Sequence, residues 1–238
     1  MISLARSVGR ALTRPVGTVR EVATAKPHLV LTYDDGPDPE QTPGVLAALA
    51  SFGATATFFV LVPRARRNPG LLAEVLAAGH EIALHGVDHA RLTGFSARTV
   101  LRRCRDGRAE LEDLTGRAVR WFRAPYGALL PRHWAAVRAA GLMPVAWGPT
   151  PGDWRPDLSE EQLAADALRG CSRGGILLAH DGYAGPEDGA DDGAAPEVDR
   201  SKLASLILQG LRERALEGRS LADSLADGRT RSWAWFHR

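Results

Sequence analysis

The sequence predicts an α/β fold, a distorted (β/α) barrel of about seven parallel strands in a single domain. Short apolar runs of strand length alternate with helix-length patterns through most of the 238 residues. Repeated strand–helix units form parallel sheets because each helix carries the chain back across the sheet. No change in composition along the chain predicts a second domain.

The predicted strands share runs of apolar, branched and aromatic residues, as in the Leu-Val-Leu-Thr-Tyr that ends at Tyr33. In chain order they cover residues 28–33, 57–62, 81–84, 119–123, 144–147 and 175–179. The last of these runs is typical of a strand that is buried on both faces.

The predicted helices begin at capping residues or proline and end near glycine. In chain order they cover residues 42–52, 69–78, 96–115, 131–140, 159–168 and 201–216. The longest has Ser96 at its N-cap position and Gly116 just beyond its end. Nearly every predicted strand is therefore followed by a helix that can cross the sheet.

The barrel is predicted over residues 28–228, between an N-terminal extension at 1–27 and an aromatic tail at 229–238. Arginines interrupt the extension, so it lacks the continuous apolar stretch of a secretion signal. The chain also has no apolar run near the roughly 18 residues of a membrane span. We therefore expect a cytoplasmic protein.

The two end segments each have more than one interpretation. The extension can form a helix on a membrane surface through the shared face of Ile2, Ala5, Val8 and Leu12. The alternative is a short helix packed on the barrel, or a frayed tail. The aromatic tail is predicted to pack on the barrel, with an oligomer or membrane contact as the alternative. Membrane contact has no independent support, and the sequence predicts no oligomeric state.

Charge and cysteine content argue against some functions. The formal net charge of +2 gives no electrostatic support for binding nucleic acid. Cys104 and Cys171 do not make a disulfide framework and are predicted to be reduced structural thiols. Residues 184–199 form an acidic loop that cannot bury a core. We interpret it as a solvated loop, with an overhang above a neighbouring site as the alternative.

Polar side chains gather where the predicted strands end, which is where parallel barrels place reactive groups. In chain order they are Asp34, Asp35, His85, His89, Arg123, Asp153 and His180. We therefore expect these side chains to form one site at the carboxyl edge of the sheet.

The spacing of four between His85 and His89 puts both imidazoles on one face if the chain turns helically there. Two imidazoles and a carboxylate leave room for water on a cation, and zinc favours such a set. A cation would also offset the repulsion between Asp34 and Asp35, one binding metal and the other accepting a proton. The alternatives are histidines on a solvated turn and aspartates that serve only turn chemistry.

Five short motifs stand at these strand ends. They are Thr32-Tyr-Asp-Asp-Gly-Pro37, His85-Gly-Val-Asp-His89, Arg123-Ala-Pro-Tyr-Gly127, Asp153-Trp154 and Leu178-Ala-His180. Together and in this order, over residues 29–181, they resemble the polysaccharide deacetylases of the nodulation-protein-B type, also called carbohydrate esterase family four. The resemblance implies a catalytic barrel, in agreement with the fold class above.

The resemblance implies roles for the first group of matching residues. Asp34 would be the general base, and Arg123 would orient it and keep it ionised. Asp35, His85 and His89 would hold the metal. A neighbouring cation is a physical means of keeping a carboxylate charged, which a general base requires.

It implies further roles around the leaving group. Asp153 would hold His180, which protonates the leaving amine, and a carboxylate partner is what keeps an imidazole charged near neutral pH. The main-chain N–H of Tyr126 would stabilise the oxyanion. Trp154 and Leu178 would form the apolar wall for the acetyl methyl group.

Three positions depart from the family pattern. Gly86 replaces the usual Ser or Thr and removes a hydroxyl that could brace the loop, so the loop geometry becomes a question. Thr150 stands where an Asp is frequent, which would reshape one wall of the groove. Tyr33 replaces Phe and needs a partner for its hydroxyl if it is buried.

The implied activity is metal-dependent hydrolysis of the N-acetyl group of an amino sugar or N-acetylated glycoconjugate. The implied metal is Zn²⁺, with Co²⁺, Ni²⁺ and Mn²⁺ as alternatives. Alternative activities are an O-acetyl esterase on acetylated glycan and a cyclic amide hydrolase of a related barrel. An alternative of another class is a non-catalytic glycan-binding module. The expected cytoplasmic location favours a small glycoside, a lipid-linked sugar or a biosynthetic intermediate as substrate.

Overall fold

The strands and helices are those of a computed structural model that describes residues 17–190 and 192–237. Within these residues the strands are β1 (Thr18–Thr24), β2 (His28–Asp34), β3 (Thr57–Leu61), β4 (Glu81–Gly86), β5 (Trp121–Phe122), β6 (Met143–Pro144), β7 (Ile176–His180), β8 (Glu217–Arg219) and β9 (Gly228–Trp233). The helices are α1 (Thr42–Ser51), α2 (Val62–Arg67), α3 (Pro69–Ala77), α4 (Ala97–Thr115), α5 (Pro131–Ala139), α6 (Glu160–Arg169), α7 (Arg200–Glu213) and α8 (Leu221–Ala226). The helix considered for the first twelve residues lies outside the described residues.

Seven parallel strands form the central sheet. Their order is β6-β5-β4-β3-β2-β7, with β8 also paired to β2, and every pair is parallel. This confirms the predicted α/β fold with about seven parallel strands in one domain. β6 and β7 stand at the two ends of this order, and they do not pair with each other among the described strands. Isolated bridges from β1 reach both of these ends, from Val19 to Val145 and from Glu21 to Gly175.

The central strand β2 shows why the sheet is covered on both faces. All seven of its residues are buried, and alternate residues point to opposite sides. Leu29, Leu31 and Tyr33 belong to the larger apolar cluster, which includes residues of the helices. Val30 belongs to a second cluster with residues of β1 and α8. Asp34 continues the alternation on the side of Val30, at the carboxyl end of the strand.

The helix ends follow the predicted capping chemistry. The Ser96 hydroxyl oxygen accepts a hydrogen bond from the Thr99 N–H at 3.1 Å, and Gly116 ends α4 with φ at 62°. These contacts confirm the two caps predicted for the longest helix. Both cysteines are free thiols, as predicted. No helix in the described part of the chain is long and apolar enough to cross a membrane.

The structure adds one strand near each end of the chain that the sequence analysis did not predict. β1 lies within residues 1–27, and β9 overlaps residues 229–238. They pair antiparallel, with Thr18 opposite Trp233. The register shifts between Val19 and Glu21, so the buried Val19 and Val22 are three residues apart. A bulge of this kind removes the twofold alternation by which a strand is identified.

Several smaller differences between the predicted and the observed elements arise because the elements concerned are short. The predicted strand at 144–147 is wrong in its bounds, because β6 spans only Met143–Pro144. Helices α2 and α8 and strand β8 were not predicted. These elements have six residues or fewer, too few to display a helical or strand period.

Candidate active site

A cavity of about 490 Å³ lies at the carboxyl ends of β2, β4 and β7. All site residues predicted from the sequence line this cavity except Arg123 and Asp153. Those two are buried, and each bonds one residue that does line the cavity, Asp34 or His180 respectively. The structure therefore brings all ten predicted site residues together.

The three predicted metal ligands converge on one point. The Nε2 atoms of His85 and His89 lie 3.3 and 3.4 Å from Asp35 Oδ1, and one ligand atom from each residue lies within 4.8 Å of the others. Asp35 has a left-handed backbone with φ at 75°. This turn lets Asp34 and Asp35 both face the cavity, although neighbouring residues of a strand point to opposite sides.

The hydrogen bonds of His85 set which nitrogen is free to bind metal. Its Nδ1 lies 3.0 Å from the Arg123 carbonyl oxygen, so a neutral ring donates there and presents an unprotonated Nε2 to Asp35. Burial lowers the pKa of His89 to about 4, against the opposing charge of Asp35. Burial by itself would raise the pKa of Asp35, but His85, His180 and His89 hold it below its ordinary value. The set therefore offers two imidazole nitrogens and one carboxylate oxygen to a single point.

These residues fit a divalent metal ion. Asp35 Oδ1 is buried without a hydrogen-bond partner among the described residues, and a cation would satisfy it. Atoms about 2.0–2.1 Å from a tetrahedral zinc lie roughly 3.3 Å from one another. That is the separation of the Asp35 oxygen from both imidazole nitrogens. Nitrogen and oxygen donors of this kind suit several divalent ions.

Asp34 forms an ion pair with Arg123. Arg123 Nη1 donates to Asp34 Oδ1 at 2.6 Å and to Thr32 Oγ1 at 2.8 Å. The guanidinium carbon lies 4.1 Å from the centre of the Phe59 ring. Both charged groups are buried, so each charge compensates for the desolvation of the other. The pair fixes the orientation of the Asp34 carboxylate at the cavity.

His180 is oriented by Asp153, and Asp153 in turn by Arg200. His180 Nδ1 lies 2.8 Å from Asp153 Oδ1, while Asp153 Oδ2 accepts from the His180 main-chain N–H at 2.9 Å and from Arg200 Nη1 at 2.6 Å. Burial lowers the pKa of His180, but Asp153 outweighs it and the pKa rises to about 9. His180 therefore carries a proton at neutral pH in this structure. Its Nδ1–H is bonded to Asp153, so the proton available for transfer is on Nε2.

Tyr126 adopts a backbone conformation that is uncommon outside glycine, with φ at 58°. Its ring lies 4.4 Å from the His89 ring and 4.0 Å from the Arg91 guanidinium. Gly127 follows with φ at 64°, and a Cβ there would come within 3.0 Å of both Trp147 and Trp235. Strained residues of this kind concentrate at functional sites. The role of the Tyr126 N–H in stabilising an oxyanion stays a prediction.

The predicted apolar wall lies beside His180. The Trp154 side chain meets the His180 ring edge to face, with centroids 5.6 Å apart, and is 45% exposed. Leu178 lies buried two residues before His180 in β7. An apolar group bound against these side chains would be next to the His180 ring.

Sequence reasoning missed five charged or aromatic residues that line the cavity. They are Arg91, Trp147, Tyr183, Asp192 and Arg200. Trp147 is half-buried. The Tyr126 hydroxyl donates to Asp192 Oδ2 at 2.5 Å, so part of the acidic loop does overhang the site. The proximity of Arg91 to His89 in sequence was a usable signal, whereas nothing local marks Arg200.

Comparisons with known proteins agree with the five motifs. Residues 21–145 match the family model described as polysaccharide deacetylase. Chitooligosaccharide deacetylase from Sinorhizobium fredii (strain NBRC 101917 / NGR234) is 34% identical over 206 residues, which cover 86% of this chain and 94% of that protein. The structure of peptidoglycan deacetylase PdaC from Bacillus subtilis is 26% identical, with a TM-score of 0.70 over 84% of this chain and 90% of that one.

A third comparison shows what the fold alone establishes. A pseudoenzyme of carbohydrate esterase family 4 from Bacillus anthracis has a TM-score of 0.73 at 19% identity, over 90% of this chain and 71% of that one. Such a likeness shows a shared fold but not a shared activity, because the same fold can carry an active or an inactive site.

The fold, the cavity and the related sequences together define a hydrolase of the deacetylase class. More particularly, the chain belongs to the polysaccharide deacetylase family, as its motifs indicated.

Proposed function

We propose that the protein removes the acetyl group from the nitrogen of an amino sugar or N-acetylated glycoconjugate and releases acetate and a free amine. One observation carries the proposal: an ion-paired carboxylate, Asp34, and a carboxylate-bound imidazole, His180, lie in the cavity that also holds the three metal-ligating side chains. Asp34 is bonded by a cation and His180 by a carboxylate, partners that suit a proton acceptor and a proton donor respectively. Relatives named as deacetylases of chitooligosaccharides and peptidoglycan support the substrate class.

Asp35, His85 and His89 would hold the metal, with Zn²⁺ first and Co²⁺, Ni²⁺ or Mn²⁺ as alternatives. A divalent ion held there supplies positive charge that lowers the pKa of water and polarises a carbonyl group.

The chain's own residues then divide the proton transfers. Asp34 accepts the proton of the attacking water, and Arg123 keeps its carboxylate in place through the 2.6 Å hydrogen bond. The Tyr126 main-chain N–H stabilises the charge that develops on the acetyl oxygen. His180 donates from Nε2 to the leaving nitrogen, because Asp153 holds its Nδ1. The products are acetate and the protonated amine.

The pocket walls account for selection of an acetyl group. Trp154 and Leu178 offer an apolar surface beside His180, which suits a methyl group.

Mass spectrometry of acetate release tests the proposal across N-acetylated monosaccharides, chitooligosaccharides, peptidoglycan fragments, acetylated xylan and a cyclic amide. We expect acetate and free amine from at least one N-acetylated amino sugar, loss of activity with a chelator, and recovery with Zn²⁺. Asp34→Asn should lower kcat roughly 10²-fold or more, whereas Asp113→Asn, at an exposed position on α4, should not change it.

The alternatives give different results in the same experiment. Acetate released only from acetylated xylan would favour the esterase, and ring opening would favour the cyclic amide hydrolase. Glycan binding by the metal-loaded protein without any release would favour a non-catalytic module. The cytoplasmic location and the preference for a small glycoside stay predictions.

A further inference from the structure

The loop that follows β7, residues 183–190, contacts two of the three metal ligands, and we call it the Asp188 loop. The Asp188 carbonyl oxygen accepts a hydrogen bond from the His89 main-chain N–H at 2.7 Å. The Ala184 N–H lies 3.4 Å from Asp35 Oδ2, which leaves Asp35 Oδ1 for the metal. The loop therefore touches the histidine segment after β4 and the carboxylate after β2.

The histidine segment depends on contacts from outside itself. Gly86 has no hydroxyl with which to brace the turn between His85 and His89. Asp88 is held by an ion pair with Arg103 of α4, and the main chain of His89 by Asp188. The main chain that carries the His89 ring is thus held by the Asp188 loop.

Asp188 is itself fixed by a buried ion-pair network. Its side chain is 0% exposed. Its Oδ2 accepts from Arg64 Nε at 2.7 Å and its Oδ1 from Arg67 Nη2 at 3.0 Å. Arg64 also donates to the Tyr183 carbonyl oxygen at 2.6 Å and to Asp38 Oδ2 at 3.2 Å. One buried guanidinium of α2 therefore ties together the Asp188 loop and the segment after β2.

The charges in this network explain why Asp188 is held in one position. A buried carboxylate between two guanidiniums cannot move away without leaving charges unpaired in the interior. Asp188 therefore holds the loop backbone in one place, and that backbone holds His89. Groups that orient metal ligands typically change metal affinity by about 10–100-fold when they are removed.

We propose that Asp188, held by Arg64, is a positioning residue for the metal centre and sets its affinity for metal through the main chain of His89. The inference rests on the metal site of the proposed function. Asp188 contacts neither substrate nor metal in this scheme. Its effect is on how well the ligands are arranged before the metal binds.

The test compares Asp188→Asn with Glu187→Gln. Glu187 is the neighbouring carboxylate, but its side chain is 59% exposed and lies 3.5 Å from Arg64. Glu187→Gln therefore removes the same charge as Asp188→Asn and leaves the buried hydrogen bonds of Asp188 in place. The dissociation constant for Zn²⁺ is measured by competition with a chromophoric chelator, and the absorption spectrum of the Co²⁺ form is recorded. We expect affinity about 10–100-fold weaker and an altered Co²⁺ spectrum in Asp188→Asn, and values within twofold of the wild type in Glu187→Gln.

The outcomes separate this inference from the proposed function. A folded Asp188→Asn variant with the wild-type dissociation constant overturns the inference alone, whereas a wild-type protein that binds no metal overturns both. A purely structural role would lower Tm and leave the dissociation constant, measured well below Tm, unchanged. If Asp188→Asn does not fold, Arg64→Lys replaces it. Lysine keeps the buried positive charge but lacks the fork that bonds both Asp188 and the Tyr183 carbonyl oxygen, so weaker metal binding supports the inference and unchanged binding overturns it.

Discussion

Arg123 and Asp34 form an ion pair that is almost completely removed from water. Their nearest atoms are 2.6 Å apart, and the side chains are 1% and 3% exposed. Burial lowers the pKa of Arg123, and Asp34 opposes that shift. Because both charges are almost completely buried, the stability of the fold and the chemistry of the site depend on the same contact.

Removing one member of this pair should destabilise the protein more than removing both. Arg123→Met leaves Asp34 buried and unpaired, at a cost of about 3–5 kcal/mol in the free energy of unfolding. Asp34→Asn leaves the Arg123 charge unpaired. The double variant should be at least about 1 kcal/mol more stable than the sum of the two single changes predicts. Urea unfolding of the four proteins measures this coupling, and additive effects would contradict it.

The pH dependence of His180 follows from its contact with Asp153. The His180 pKa is raised from 6.5 to about 9, so the stabilisation from this pair is fully present below about pH 6.5. It is lost as pH rises through about 9. Titration of the metal-free protein by NMR of the histidine ring nitrogens should show this value.

Asp153→Asn should remove most of that shift. Without this carboxylate, burial is opposed only by the smaller effects of Asp35 and Asp34, so the His180 pKa should fall well below 9. Since neutral His180 cannot donate a proton, kcat at neutral pH should fall about 10²-fold or more. A His180 pKa that stays near 9 in Asp153→Asn would show that another group holds the proton.

Gly86→Ser should weaken the metal site, although Ser is usual there in the family pattern. A Cβ at Gly86 would lie less than 3.0 Å from the Asp88 carbonyl oxygen, so the turn that carries His89 would have to shift. We expect a loss of about 1–3 kcal/mol in the free energy of unfolding and weaker Zn²⁺ binding. Gly94→Ser is the matched control, because a Cβ there meets no atom within 4 Å. Equal Zn²⁺ affinity in both variants would refute the steric argument.

Trp154→Ala should lower kcat/KM for an acetylated substrate by roughly tenfold, the effect expected when one methyl-sized contact is lost. Tm should change little because the side chain is 45% exposed. Trp154→Phe keeps an apolar surface and should retain most of the activity. Steady-state kinetics of the two variants checks the role of this wall, and a larger defect in Trp154→Phe than in Trp154→Ala would argue against it.

The sequence was sufficient for the site because its residues are encoded locally. Asp34 and His180 each end a strand, His85 is one residue from the end of β4, and parallel strands end at one edge of the sheet. Their convergence therefore needed only the correct strands, and strands at 28–33, 81–84 and 175–179 were correctly placed. The strand pairing that completes the sheet was harder, because β1 contains a bulge and β9 has few apolar residues.

The residues that the sequence did not reveal are those whose partners are distant in the chain. Arg200 begins a helix and resembles any solvated helix start, yet it is buried against Asp153, 47 residues earlier. Asp188 lies in a loop with the composition of a solvated segment, yet Arg64, 124 residues earlier, removes it from solvent. Hydrophobic periodicity predicts which apolar residues are buried, but it does not apply to charged residues. The burial of a charged residue depends on tertiary contacts that no local pattern encodes.

The pairing of β1 with β9 has a consequence for the order of events during synthesis. Thr18 leaves the ribosome 215 residues ahead of its partner Trp233. The parallel strands can assemble as they appear, whereas the β1–β9 pair forms only after residue 233 has emerged. Until then β1, which bridges to both ends of the sheet, lacks its own partner strand. A nascent chain stalled before residue 228 should therefore expose unpaired backbone along β1, where chaperones would bind.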